Sequence, residues 1–146
     1  MVRLRPGWLV VLFAAVIAVS GWLPWRATSA DGGGHSSAIG GWVVGYFRPP
    51  ASFDAGQLIV LLASALVVAG AMTARGLSAR LSAVAALVLS LSIGGLTVVY
   101  YQQKIHPPVD AAYGLYIGAA ATTVAAICSL WALFAAWSAM PALSNP

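Results

Sequence analysis

The apolar positions of this chain gather in four blocks, at about residues 8–25, 56–74, 81–101 and 111–138. Within each block the run is nearly continuous rather than alternating. At 1.5 Å per residue, about 20 apolar residues in a helix cross the ~30 Å hydrocarbon core of a bilayer. The pattern predicts an all-α membrane protein. It is a four-transmembrane-helix bundle forming a single integral membrane domain over residues 1–146, with a structured outer loop between helices 1 and 2. The first block, LVVLFAAVIAVSGWL behind Arg3 and Arg5, is just long enough to cross. Together with the small residues at Thr28 to Ala30 it also fits a signal peptide cut after Ala30. The Trp22 and Trp25 pair suits an interfacial girdle, and three helices need a fourth to pack against; both favour a retained helix.

Between the blocks lie two longer polar stretches, the expected outer loops 26–55 and 102–110, and a short turn from Arg75 to Arg80. In the first loop, Asp31 to Gly34 (DGGG) reads as a turn or flexible link. Ile39 to Phe47 (IGGWVVGYF) is too short to span, and Trp42, Tyr46 and Phe47 would be costly to leave in water. That segment is expected to lie on the membrane surface or cap the bundle as the main partner-facing surface. Arg48, Pro49 and Pro50 stop any helix there, and Ser52 and Asp54 are candidate N-caps for the second span. Arg3, Arg5, Arg75 and Arg80 fall on one side of this arrangement and Arg26, Arg48 and Lys104 on the other. The first four flank span one or occupy a very short turn, so both termini are expected in the cytoplasm of a multi-pass protein of the cell membrane.

Composition agrees with lipid as the solvent: 61% apolar and 7% charged residues, with a mean hydropathy of +0.91, lie outside the range of soluble domains. The formal net charge of +4 comes from scattered cations without a basic patch, which argues against nucleic acid. Cys128 stands alone in an apolar helix and is expected to be packing.

Small residues recur every four positions at Ser82, Ala86, Ser90 and Gly94, and again at Gly114, Gly118, Thr122 and Ala126. Residues four apart share a helix face, and small ones let backbones approach closely in lipid. Gly114, Gly118, Ser90 and Gly94 are therefore expected to form packing or partner-contact seams. Gly114 to Gly118 is a G-x-x-x-G, assigned to packing within the chain ahead of dimerisation. The stretches RPPASFDAGQL and HPPVDAAYGL hint at a duplicated hairpin, against the plainer reading that proline and aspartate often precede helices.

No ionisable residue falls at mid-span; Gln57, Thr97, Thr122 and Thr123 are the strongest polar groups there, which argues against an autonomous pump. Asp31, His35, Asp54, Lys104, His106 and Asp110 supply the types needed for a base or a metal site, but at no recognised spacing. The expectation is a non-catalytic membrane protein without cofactor or metal. It is read as an accessory or scaffold subunit of a cell-envelope complex, in contact with membrane lipid and with a membrane protein partner or a second copy of itself. The alternatives are a small transporter or channel component, or a membrane enzyme using the outer-face histidines and aspartates. With its ADGGGHSSAIGG and AAYGLYIGAA stretches, the chain resembles small four-span membrane proteins of actinobacteria, a resemblance that implies no catalytic residues.

Overall fold

In the computed structural model, which describes residues 5–40, 43–45 and 52–138, the first apolar block forms helix α1 (Pro6–Ser20). Proline opens it where no backbone donor is needed. The helix ends at Ser20 rather than near residue 25. The N–H groups of Trp22 and Leu23 bond the carbonyls of Val19 and Ser20 at 3.0 Å, which tightens the chain to i→i+3 geometry. Pro24 then lacks the donor to continue and pushes Leu23 toward extended backbone. Strand β1 (Pro24–Thr28) starts at that proline.

Part of the expected outer loop forms a sheet, so the all-α expectation needs correction at this end. One 3₁₀ turn at Ala30–Gly32 reverses the chain, with Gly32 and Gly33 at φ 88° and 85°. A side chain would be strained there, so DGGG is a hairpin turn rather than a flexible link. Strand β2 (Gly34–Ser37) returns antiparallel to β1, and β3 (Val43–Gly45) pairs with β2. The second loop contributes β4 (Val109–Ala111) on the other edge of β1, giving the order β3-β2-β1-β4. Two loops far apart in sequence thus make one sheet.

The other blocks form α2 (Ala55–Arg75), α3 (Ala79–Lys104) and α4 (Tyr113–Ser138). These three are long and apolar enough to cross a membrane, and α1 is a shorter apolar helix. Asp54 caps α2 in a capping box with Gln57. Asp110, its counterpart in the HPPVD stretch, lies instead in β4, and α4 begins at Tyr113 rather than residue 111. The helices run up and down in a ring: α1 packs on α2 and α4, and α3 on the same two. Their sheet-side ends are closed by the four strands. The opposite end carries the α2–α3 turn, where the Arg5 guanidinium donates to the carbonyl of Ala74 at 2.9 Å.

The bundle core is built largely from small side chains. Ala14, Ala63, Ala83, Ala86, Ala125, Ser90 and Ser129 are buried, with Ile17, Ile59, Leu66 and Ile93 filling between them.

Candidate functional site

The densest set of specific contacts lies where the sheet meets the bundle. Its organising feature is a bulge. Pro24 pairs with Ser37 and Arg26 with Ser36, so β1 advances two residues while β2 advances one. The extra residue is Trp25, and a bulge of this kind re-aims side chains: Trp25 and Arg26, neighbours in a strand, both turn toward the bundle. Trp25 is fully buried and its indole N–H donates to the carbonyl of Ser20 at 2.7 Å. Its ring meets Tyr100 edge to face, with centroids 5.1 Å apart and planes at 86°.

The floor of this pocket is the G-x-x-x-G. A Cβ on Gly114 would sit 2.6 Å from the Pro24 carbonyl oxygen and 2.9 Å from Trp25 Cδ1. One on Gly118 would sit 2.8 Å from Ser20 Oγ and 2.9 Å from Trp25 Cζ2. Only glycine leaves the ring that space. Trp25 thereby ties α1, α3 and α4 to the sheet. Trp25, expected beside Trp22 in an interfacial girdle, is interior, as is Tyr100, whereas Trp22, Tyr101, Tyr113 and Tyr116 are exposed.

α2 is tied in separately. The Gln57 side-chain amide donates to the carbonyl of Ile39 at 3.2 Å, and Gly56 packs directly against the carbonyl of Ala38. Asp54 accepts from the Ala55 N–H at 2.7 Å through one oxygen and pairs with Lys104 Nζ at 3.0 Å through the other. Thr28 Oγ1 donates to the Pro108 carbonyl at 2.7 Å, joining the two loops once more. Beneath β1 the Arg26 guanidinium donates to Ser36 Oγ at 3.0 Å, and its charge and that of Asp54 act on the Tyr100 phenol.

On the opposite face of the sheet the register places His35, Ala27 and Asp110 in one row across β2, β1 and β4. Ala27 and His35 are partly exposed, and Asp110 is exposed. Among the described residues no group of three or more His, Cys, Asp or Glu gathers to hold a metal ion. Lys104 and Asp54 meet as an ion pair, and His106 is exposed beside them in the second loop. Trp42, Tyr46 and Phe47, expected as the partner surface, lie outside the described residues.

Between α3 and α4, Gly94 of one small-residue seam meets Thr122 of the other, while Ser90 meets Ser129, which lies outside the expected seam. Ser90 Oγ lies 3.4 Å from Ser129 Oγ, and a Cβ on Gly94 would touch Thr122 Cγ2 at 3.7 Å. Around that contact an open groove of about 510 Å³ runs between α3 and α4, lined by Gly94, Gly95, Thr97, Thr122, Thr123 and Ile127 among others. Its threonines donate to carbonyls of their own preceding turns, Thr97 to Ile93, Thr122 to Gly118 and Thr123 to Ala119, at 2.7–3.0 Å. The groove therefore presents hydroxyls whose protons are already committed. Comparison of the chain with protein-family models, curated proteins and solved structures gives no match.

Proposed function

We propose that this is a four-span integral membrane protein without catalytic activity, which presents a rigid sheet to a protein partner as an accessory or scaffold subunit of a membrane assembly. The observation that carries the reading is an inversion of size. Alanine, glycine and serine dominate the interior, while Leu12, Leu61, Val68, Leu81, Leu91 and Ile127 point outward, each more than half exposed. A water-soluble fold buries its large apolar side chains; a bundle in lipid gains little by doing so and instead brings backbones together through small residues.

α1 is counted as the fourth span. Its 15 residues rise about 22 Å, and the tight turn through Leu23 carries the crossing on to Trp22, whose exposed ring suits the headgroup level. Arg5, Arg75 and Arg80 sit at the end away from the sheet, which favours that end, and both termini, on the cytoplasmic side. The scaffold part of the reading is supported by how the sheet end is built. Arg26, Thr28, Asp54, Gln57 and Lys104 are engaged in holding loop to loop and sheet to helix, and the hydroxyls within the helices bond their own backbones. Such an end is suited to being recognised rather than to moving protons.

The test is site-specific photocrosslinking in intact cells, with a crosslinker in place of Ala27 or Asp110 on the outer row of the sheet and in place of Leu61 on α2. Discrete protein adducts from the sheet positions, with lipid adducts from Leu61, are expected. Absence of protein adducts at both sheet positions, together with ion flux or hydrolysis by the purified protein in liposomes, would overturn the scaffold reading in favour of transport or catalysis.

A further inference from the structure

The end of the bundle away from the sheet combines apolar grooves with unmatched positive charge. All three acidic residues of the chain are Asp31, Asp54 and Asp110, in or beside the two sheet-forming loops. Arg26, Arg48 and Lys104 also fall in or beside those loops in the sequence and balance the aspartates in number, so the net +4 corresponds to Arg3, Arg5, Arg75 and Arg80. Among the described residues, Arg5 is fixed against the last turn of α2 by its bond to the Ala74 carbonyl, Arg75 ends α2, and Arg80 lies in the first turn of α3. Among the described residues no aspartate lies at this end of the bundle.

Two grooves run up the bundle from this end. One, of about 280 Å³, follows a face of α2 and is lined by Val67, Val68, Ala71, Met72, Arg75 and Leu77, so that five apolar side chains lead to a single guanidinium. The other, of about 320 Å³, lies between α2 and α3 and is walled by Ala65, Leu81, Ala85 and Leu89. Both share Val68 and Met72, which therefore form a ridge between them. Paired apolar troughs on either side of a ridge, with a cation at the mouth, match the shape and charge of a two-chain lipid whose headgroup is anionic.

We infer that the α2–α3 turn end binds an anionic glycerophospholipid, its two acyl chains in the grooves flanking Val68 and Met72 and its phosphate on Arg75, with Arg80 adding to the attraction. Charge complementarity selects this occupant over a second copy of the chain, which would bring Arg5, Arg75 and Arg80 against their own counterparts. It also selects it over a zwitterionic lipid, which offers no net charge to them. The inference rests on the membrane reading above.

Native mass spectrometry of the full-length protein in neutral detergent tests it, with phosphatidylglycerol and phosphatidylcholine of identical chains supplied in equal amount. Phosphatidylglycerol is expected to be retained preferentially. In the Arg75→Gln, Arg80→Gln variant that preference should fall roughly fivefold for each cation removed, from about 1 kcal/mol per cation at an anionic surface. Arg75→Lys, which leaves the charge unchanged, should retain it, Lys104→Gln at the opposite end should leave it intact, and Met72→Trp, which obstructs both grooves, should reduce retention of either lipid. Equal retention of the two lipids by the unmodified chain, or an undiminished preference in the double variant, overturns the inference. So does a dimer that Met72→Trp dissolves while lipid retention stays the same. Alkaline carbonate extraction of membranes separates this from failure of the membrane reading: release of the protein into the aqueous phase would sink that reading, whatever lipid it retains.

Discussion

An added methyl group separates two of the helical glycines, Gly118 and Gly95. At Gly118 it would meet Ser20 Oγ at 2.8 Å and Trp25 Cζ2 at 2.9 Å. Neither neighbour can recede freely, because Ser20 Oγ donates to Ile17 and the Trp25 indole is held to the Ser20 carbonyl. At Gly95, one turn from the α3–α4 contact, nothing lies within 4 Å of the added atom. Gly118→Ala is therefore expected to destabilise the bundle by about 1–3 kcal/mol, the usual penalty for overpacking. Gly95→Ala should leave it unchanged or stabilise it by up to about 1 kcal/mol through lower backbone entropy in the unfolded chain. Thermal unfolding midpoints of the two variants in the same detergent compare them directly. Equal midpoints would mean that Trp25 is not seated on α4.

At the scale of elements, the first turn of α2 is held by two interactions of one carboxylate, and their magnitudes differ. The capping bond from the Ala55 N–H to Asp54 is worth about 1 kcal/mol. The pair with Lys104 joins side chains that are 32% and 22% exposed and is worth at most about 1 kcal/mol, less in salt. Lys104→Met should thus lower stability slightly at low ionic strength and not at all in molar salt, whereas Asp54→Ala should lower it in both. Asp54→Asn, which keeps a capping oxygen, should behave like Lys104→Met. If instead Asp54→Ala loses its effect in salt, the ion pair rather than the cap holds this turn.

For the whole molecule, the sheet places both long loops on one side of the bundle and the α2–α3 turn on the other. Cysteines at Gln103 or Asp110 in a Cys128→Ala background are expected to react with an impermeant thiol reagent applied to intact cells, and one at Leu77 only after the membrane is opened. These positions are exposed and avoid the left-handed backbone of Gly33 and Gly76, where a side chain would be strained. The reverse labelling pattern would invert the assigned orientation and, with it, the leaflet that supplies the lipid at Arg75.

The existence of the helices was legible because their cause is local. Unbroken apolar runs such as LIVLLASALVVAGAM demand a structure that satisfies its own backbone in a nonpolar surrounding, and the helix does so within each run. The Asp54 cap was legible for the same reason, since Asp54 and Gln57 are three residues apart. The small-residue spacing on α4 marked Gly114 and Gly118 as places of close approach. What the spacing did not contain was the identity of the neighbour: Gly114 and Gly118 receive a tryptophan from the loop after α1, about 90 residues earlier in the chain. The sheet was illegible for a related cause. Its strands are 3–5 residues long, too short for period-two alternation to register, and β1 gains its second edge only when Val109–Ala111 arrives from the other loop. Pairing of that kind, and the bulge that turns Trp25 and Arg26 to the same side, depend on where four helices bring their ends together, which only the tertiary structure decides.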